Sequence, residues 1–124
     1  LKRTLYNLGY TYARSNQVFE AIKTFDALIQ IKEVNLKTIN ALREQGYAYV
    51  KIGDYHKALD NFHRMQEYAK GLKAYKQQIQ AHLGRANTYA QMGFRKYSQK
   101  IANEIKITDS LLLFIPEKPE IEID

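Results

Sequence analysis

Residues 49–62 read Tyr-Val-Lys-Ile-Gly-Asp-Tyr-His-Lys-Ala-Leu-Asp-Asn-Phe, and this stretch decides the fold. Gly53 and Asp54 lie between two runs of apolar residues at helical spacing. Glycine commonly follows the end of a helix because it tolerates a left-handed backbone. Aspartate commonly begins a helix because its carboxylate accepts hydrogen bonds from free amides. The stretch therefore predicts a tight helical hairpin, with its turn between Tyr49 and Tyr55.

The same arrangement occurs on both sides of this stretch. Upstream, Asn16 and Gln17 follow Tyr12, and downstream, Gly93 follows Tyr89. Three copies of one hairpin predict a repeat array, and the short turns make consecutive helices antiparallel neighbours. The apolar spacing predicts six helices, near residues 2–15, 18–33, 35–52, 55–70, 74–92 and 95–114.

The third hairpin is expected to bury His82 on its first helix. The second helix of this hairpin carries one stripe of residues at helical spacing, namely Tyr97, Ile101, Ile105, Thr108, Leu112 and Ile115. Pro116 is expected to end that helix, because the residue before a proline is pushed out of the helical region.

Composition limits the class of protein. The chain has 124 residues, of which 45% are hydrophobic, enough for one continuous core. It has no cysteine, which excludes disulfides and cysteine-ligated metals and suits a cytoplasmic protein. No apolar run has the length of a membrane span, so no membrane association is expected. Because the chain begins at Leu1 inside an amphipathic pattern, it is interpreted as part of a longer protein.

The shared positions of the three copies resemble the tetratricopeptide repeat, a helix-turn-helix unit of about 34 residues. The family pattern is an aromatic residue or leucine, then Leu-Gly, Tyr, Ala, Phe and Ala. The first copy carries Leu5, Leu8-Gly9, Tyr12, Ala21, Phe25 and Leu28. The second carries Leu42, Gln45-Gly46, Tyr49, Ala58, Phe62 and Met65. The third, which departs at several positions, carries His82, Arg85-Ala86, Tyr89, Ser98, Ala102 and Ile105.

The resemblance implies an all-α fold, in which three helical hairpins stack into a short right-handed superhelical array. The predicted units are residues 2–33, 35–71 and 74–115, the last with an extended final helix. An acidic tail at 116–124, extended or disordered, follows them. The spacings are long, 37 residues from Gly9 to Gly46 and 40 from Gly53 to Gly93. Such long repeats resemble those of bacterial peptide-sensing regulators and of helical-repeat sensor domains.

In this family the first helix of each hairpin lines a concave groove that binds an extended peptide or a partner's helix. The resemblance therefore implies a non-catalytic protein- or peptide-binding module, a scaffold or regulatory domain without cofactor. Carried over position by position, the groove residues are Arg3, Tyr6, Tyr10, Arg14, Asn40, Arg43, Tyr47, Lys51, Leu83, Asn87 and Gln91.

The chemistry of these groove residues suits a peptide. Tyrosine offers a broad contact surface with a polar tip, and amide side chains pair with an extended backbone. Arginine and lysine favour an acidic ligand. The alternative is that the tyrosines only pack against adjacent helices. The lysine, asparagine and arginine pattern with which some members bind acidic C-termini is absent, since Tyr6, Tyr10, Gln80 and Gly84 stand at those positions.

Charge leaves nucleic acid as a competing partner. The net charge of +6 divides into +9 on residues 1–115 and −3 on residues 116–124. A basic, tyrosine-rich body suits backbone contacts and base stacking. Bases and acids alternate along each helix, however, so nucleic-acid binding is disfavoured. The acidic tail is a second candidate occupant of the basic groove, in the same molecule or in a neighbour.

Two other features bear on function, a group of histidine and aspartate residues and an apolar run. One helix carries His56, Asp60 and His63 at a spacing that could hold a metal ion. On a solvated outer helix this spacing is interpreted as chance. Neither a metal site nor a catalytic site is predicted. An apolar run lies near the end of the last helix. It either shields the open end of the array, docks a further repeat or forms a contact for self-association. The run is Leu111, Leu112, Leu113, Phe114 and Ile115.

Overall fold

A computed structural model describes residues 1–31 and 33–116. It contains six helices: α1 (Lys2–Arg14), α2 (Val18–Gln30), α3 (Leu36–Lys51), α4 (Tyr55–Gly71), α5 (Tyr75–Gly93) and α6 (Ser98–Leu112). Each helix packs against the next one in the chain, and no strand occurs among these residues. The all-α fold of stacked hairpins is therefore confirmed. The predicted tail, except for Pro116, lies outside the described residues.

The helices form two layers. α3 contacts both α1 and α5, whereas within the described residues α2, α4 and α6 do not contact one another. The odd-numbered helices are therefore closer together than the even-numbered ones. The surface of α1, α3 and α5 is the concave side of the array, and it is called the inner face below.

Local chemistry sets the hairpin turns. The side chain of Asn35 accepts a hydrogen bond from the Thr38 amide at 3.0 Å and thereby caps α3. Asp54 accepts one from the Lys57 amide at 3.4 Å and caps α4, as the sequence predicts. Gly53 has a φ of 81°, in the left-handed region that favours glycine. These groups satisfy amides that the first turn of each helix leaves unpaired.

The core is organised around two phenylalanines. Phe25 and Phe62 are fully buried. A Cβ added to Gly9 would lie 2.7 Å from the Phe25 ring, and one added to Gly46 would lie 2.8 Å from the Phe62 ring. The two glycines therefore permit the close approach of helices that the sequence predicts. Gly84 of α5 packs on the same Phe62 ring, which thus joins the second hairpin to the third.

We expect the substitution Gly84→Ala to lower the free energy of unfolding by about 1–2 kcal/mol. Alanine normally stabilises a helix relative to glycine by about 0.5–1 kcal/mol. Here its Cβ would lie 2.4 Å from the buried Phe62 ring, which must then shift. Urea denaturation followed by circular dichroism measures the effect.

Gly71→Ala is the matched control for that substitution, because nothing lies within 4 Å of the Cβ position at Gly71. It should leave the stability unchanged or raise it slightly. If Gly84→Ala raised the stability as well, the close packing of α5 on Phe62 would be contradicted.

Buried amides link the first two hairpins. Gln45 donates to the backbone oxygen of Ile22 at 3.0 Å and to Asp26 at 2.7 Å. Asn61 in turn donates to the side-chain oxygen of Gln45 at 2.7 Å and to the backbone oxygen of Leu42. The chain connects α2, α3 and α4, and it satisfies polar groups that would be costly to bury unpaired.

The last helix differs from the prediction. α6 buries Ile101, Glu104 and Thr108, whereas Ile105 and Leu112 are exposed. Of the stripe that the spacing indicates, Ile101 and Thr108 therefore face the core, whereas Ile105 and Leu112 do not. The buried positions repeat the spacing of Phe62, Met65 and Ala69 on α4, so the sequence alignment of Ala102 and Ile105 with the core of the repeat is one residue out of register.

The register of α6 is explained by a buried polar cluster. His82 is buried on α5, as predicted, and its Nδ1 lies 2.7 Å from a carboxylate oxygen of Glu104. Arg85 forms a salt bridge with the other carboxylate oxygen of Glu104, with N and O 3.1 Å apart, and donates a hydrogen bond to Gln66 of α4 at 2.7 Å. A buried imidazole and a buried carboxylate need partners, and this rotation of α6 brings them together.

Candidate functional site

All the predicted groove residues lie on α1, α3 and α5. Within each helix their spacing of three or four residues places them along one stripe. On α3, for example, the stripe runs through Asn40, Arg43, Tyr47 and Lys51. Every one of the predicted groove residues is exposed or half-buried.

Tyr47 is at the centre of this surface. Its ring packs edge-on against Phe62, with the ring centroids 5.0 Å apart, yet 38% of the residue remains exposed. The core therefore holds the tyrosine in place while one side stays open. Burial raises the pKa of Tyr47, Arg43 opposes this, and the negative charge of Glu44 adds to it.

Two clefts flank Tyr47. The cleft between α1 and α3, of about 270 Å³, is lined by Arg14, Glu44 and Lys51 as well as Tyr47. The cleft at the C-terminal end of α3, of about 600 Å³, is lined by Tyr47, Lys51 and Gln91, together with the turn at Gly53 and Tyr55 of α4. The structure thus brings together one predicted residue from α1, two from α3 and one from α5.

A second aromatic group lies on α1. The rings of Tyr6 and Tyr10 stack with centroids 6.3 Å apart, and Tyr6 also contacts Phe25 at 6.0 Å. The Arg14 guanidinium lies 4.8 Å from the centroid of the Tyr10 ring and donates a hydrogen bond to the Tyr10 hydroxyl. These tyrosines pack against neighbouring side chains and still present surface, so their role in binding a ligand stays a prediction.

The charges on the inner face are mixed. Arg43 donates to Gln80 of α5 at 2.7 Å and pairs with Glu44 at 3.2 Å, so it is already engaged in bonds that join α3 to α5. Glu44 was not predicted as part of this surface, although it lies four residues after Asn40 and helical spacing could have found it. The exposed cations of the two clefts are Arg14 and Lys51.

The other predicted residues lie farther along the inner face. Arg3 lines a separate cleft with Leu1 and Leu36, near the start of α1 and α3. The side-chain oxygen of Asn40 is buried and has no hydrogen-bond partner among residues 1–31 and 33–116. Leu83 is exposed and Asn87 is half-buried on α5.

We expect the stability of the protein to fall as the pH rises above about 10, the ordinary tyrosine pKa. Burial raises the pKa of Tyr6, Tyr47 and Tyr49 in the folded chain. The unfolded chain therefore loses these protons first, and the stabilisation present below pH 10 disappears as the pH passes the higher folded values. Denaturation across alkaline pH measures this loss. Tyr47→Phe should reduce the loss, and a pH dependence identical to that of the wild type would contradict the assignment.

Two other types of site are not supported within the described residues. No group of three or more His, Asp or Glu residues there could hold a metal ion, and His56, Asp60 and His63 form no such group. In the same part of the chain, none of the helices has both the length and the apolar character needed to cross a membrane.

Comparison with known proteins identifies the first hairpin. A family model described as tetratricopeptide repeat matches residues 3–31, which span most of α1 and all of α2. No curated protein sequence gives a significant match. The match tests neither the second and third repeats nor the spacings of 37 and 40 residues, which stay predictions. The chain therefore contains a tetratricopeptide repeat, the helical hairpin of a family whose members generally serve as protein-interaction modules.

Proposed function

We propose that the chain is a non-catalytic interaction module that binds an extended, acidic peptide segment of a partner protein across the inner face. The observation that carries the proposal is the position of Tyr47. Residues of α1, α3 and α5 are among those that line the two clefts beside it, namely Arg14, Lys51 and Gln91. A segment lying across the three helices would contact all of these residues at once.

Each type of side chain has a role in this proposal. Tyr47 supplies apolar contact area, and because Phe62 already holds its ring, little side-chain freedom is lost on binding. Gln91 is exposed, and its side-chain amide is suited to pair with backbone groups of an extended peptide. Arg14 and Lys51 favour carboxylates, and Glu44 discourages ligands that carry uniform negative charge.

The test is binding of a library of extended acidic peptides, measured by fluorescence anisotropy. We expect Lys51→Glu to weaken the best binder at least about tenfold, which corresponds to about 1.4 kcal/mol. Lys70→Glu is the matched control, since this lysine is equally exposed but lies on α4 in the outer layer. Equal loss in both variants would contradict a specific inner-face site.

The same experiment separates peptide from nucleic acid. Single-stranded DNA should bind weakly, with an affinity that falls steeply as salt rises, because phosphate contacts release counterions. The peptide affinity should change less with salt, because Tyr47 contributes apolar contact. Tight, strongly salt-dependent DNA binding that Lys51→Glu abolishes, with no peptide binding, would overturn the proposal in favour of nucleic acid.

A further inference from the structure

Neighbouring hairpins in this chain join by one recurring contact. At the first junction α3 lies on α2, where Ala41 packs with Phe25 and Leu28, and Gln45 bonds to Asp26. At the second junction α5 lies on α4. There Ala81 packs in one cluster with the Phe62 ring, and Arg85 bonds to Gln66. In both cases one stripe of an odd-numbered helix covers one stripe of the preceding even-numbered helix.

The first helix carries the same stripe uncovered. On α3 the stripe stands before Gly46 and consists of Thr38, Ala41 and Gln45. At the same distances before Gly9 the chain has Leu1, Thr4 and Leu8. Gly9 and Gly46 both pack on the phenylalanine of their own hairpin, so the positions are structurally equivalent. The α3 residues are buried, whereas Leu1, Thr4 and Leu8 are exposed, with Leu8 43% accessible.

The last helix carries the complementary stripe uncovered. On α2, Asp26 and Ile29 follow the buried Phe25, and both reach the second hairpin: Asp26 bonds to Gln45, and Ile29 packs against the core cluster of that hairpin. On α6, the residues that follow the buried Ile101 at the same distances are Ala102 and Ile105. Both are exposed, Ile105 by 45%, and Leu112 extends the stripe by two turns.

The two free stripes match each other in chemistry. At the internal junction the polar side chains of Gln45 and Asp26 form a hydrogen bond. At the equivalent places on the free stripes stand Leu8 on α1 and Ala102 on α6. The internal junction therefore has a polar pair where the two free stripes carry apolar side chains. Removing apolar side chains from water is favourable, so contact between the free stripes would be favourable too.

We propose that copies of this chain associate head to tail, with α1 of one copy lying on α6 of another as α3 lies on α2. The occupant of the α6 stripe is thus a second copy, and the junction is the one already used twice within the chain. The contact is heterologous, so it produces a ring or an open chain of copies rather than a closed pair. The run Leu111–Ile115 is compatible with this arrangement. Leu112, Leu113, Phe114 and Ile115 are exposed, and the run leaves Ile105 uncovered.

The experiment is sedimentation equilibrium over a range of protein concentrations. The wild type should show a mass that rises with concentration. Leu8→Glu and Ile105→Glu should each remain monomeric, with association weakened at least about tenfold, because a charge is buried in an apolar contact. Leu72→Glu is the matched control, since Leu72 is 46% exposed and lies on neither stripe, and it should associate like the wild type.

Mixing the two variants makes the test specific. Leu8→Glu keeps an intact α6 stripe, and Ile105→Glu keeps an intact α1 stripe, so an equimolar mixture should form pairs although neither variant associates alone. Circular dichroism of each variant checks that it is folded. A monomeric wild type at all concentrations would overturn the proposal. So would wild-type association of Leu8→Glu, which would indicate a symmetric contact between two α6 helices.

Discussion

Replacing Phe62 by alanine is expected to lower the free energy of unfolding by about 4 kcal/mol. The Phe62 side chain is fully buried and lies between Gly46 of its own hairpin and Gly84 of the next. Glycine has no side chain, so neither Gly46 nor Gly84 can fill the space that the ring leaves. Loss of apolar contact and creation of a cavity therefore add together.

This loss is large against the total stability of a domain, which is about 5–15 kcal/mol. It should also reduce the cooperativity of unfolding, because Phe62 couples the second hairpin to the third, and arrays of repeats depend on such nearest-neighbour contacts. Urea denaturation followed by circular dichroism would show a lower midpoint and a broader transition.

Phe19→Ala is the matched control for this prediction. It makes the same chemical change within a helix, but Phe19 is 65% exposed. Its effect should stay within about 0.5 kcal/mol. If the two variants lost similar stability, the central position of Phe62 in the core would be contradicted.

Replacing Glu104 by alanine is expected to lower the free energy of unfolding by about 3 kcal/mol. The carboxylate forms a salt bridge with Arg85 at 3.1 Å and lies 2.7 Å from His82, and both His82 and Glu104 are buried. Without it, the imidazole loses its partner and Arg85 keeps only Gln66. The loss should be in the lower part of the range for buried ion pairs, because Arg85 is partly accessible to water.

Two further variants test the physical reason for that loss. The double substitution His82→Leu with Glu104→Leu removes both hydrogen-bonding partners and should be less destabilising than Glu104→Ala, because it leaves no buried imidazole without a partner. Glu67→Ala removes an exposed acid of α4 and should change the stability by less than about 0.5 kcal/mol. A Glu104→Ala variant as stable as Glu67→Ala would refute the role of the cluster.

The inner face was predictable in part. The family resemblance assigned the groove residues to three helices, and they lie along one stripe of each of α1, α3 and α5, because a stripe is a property of one helix. The clefts beside Tyr47 were not predictable, because they depend on how α1 and α5 pack on α3. The pairing of Arg43 with Gln80 likewise depends on the distance between two helices. It engages one of the cations that the sequence analysis assigned to the groove.

The sequence by itself determined the hairpins. Caps at Asn35 and Asp54, the left-handed turn at Gly53 and the apolar spacing are local features, and each acts within a few residues of its own position. The tertiary structure alone decided the register of α6. Apolar spacing favoured burial of Ile105, but a buried His82 requires a polar partner, and the cost of leaving it unpaired outweighs the gain from one isoleucine. Glu104 therefore faces the core, and Ile105 is left on the surface for which we propose a partner.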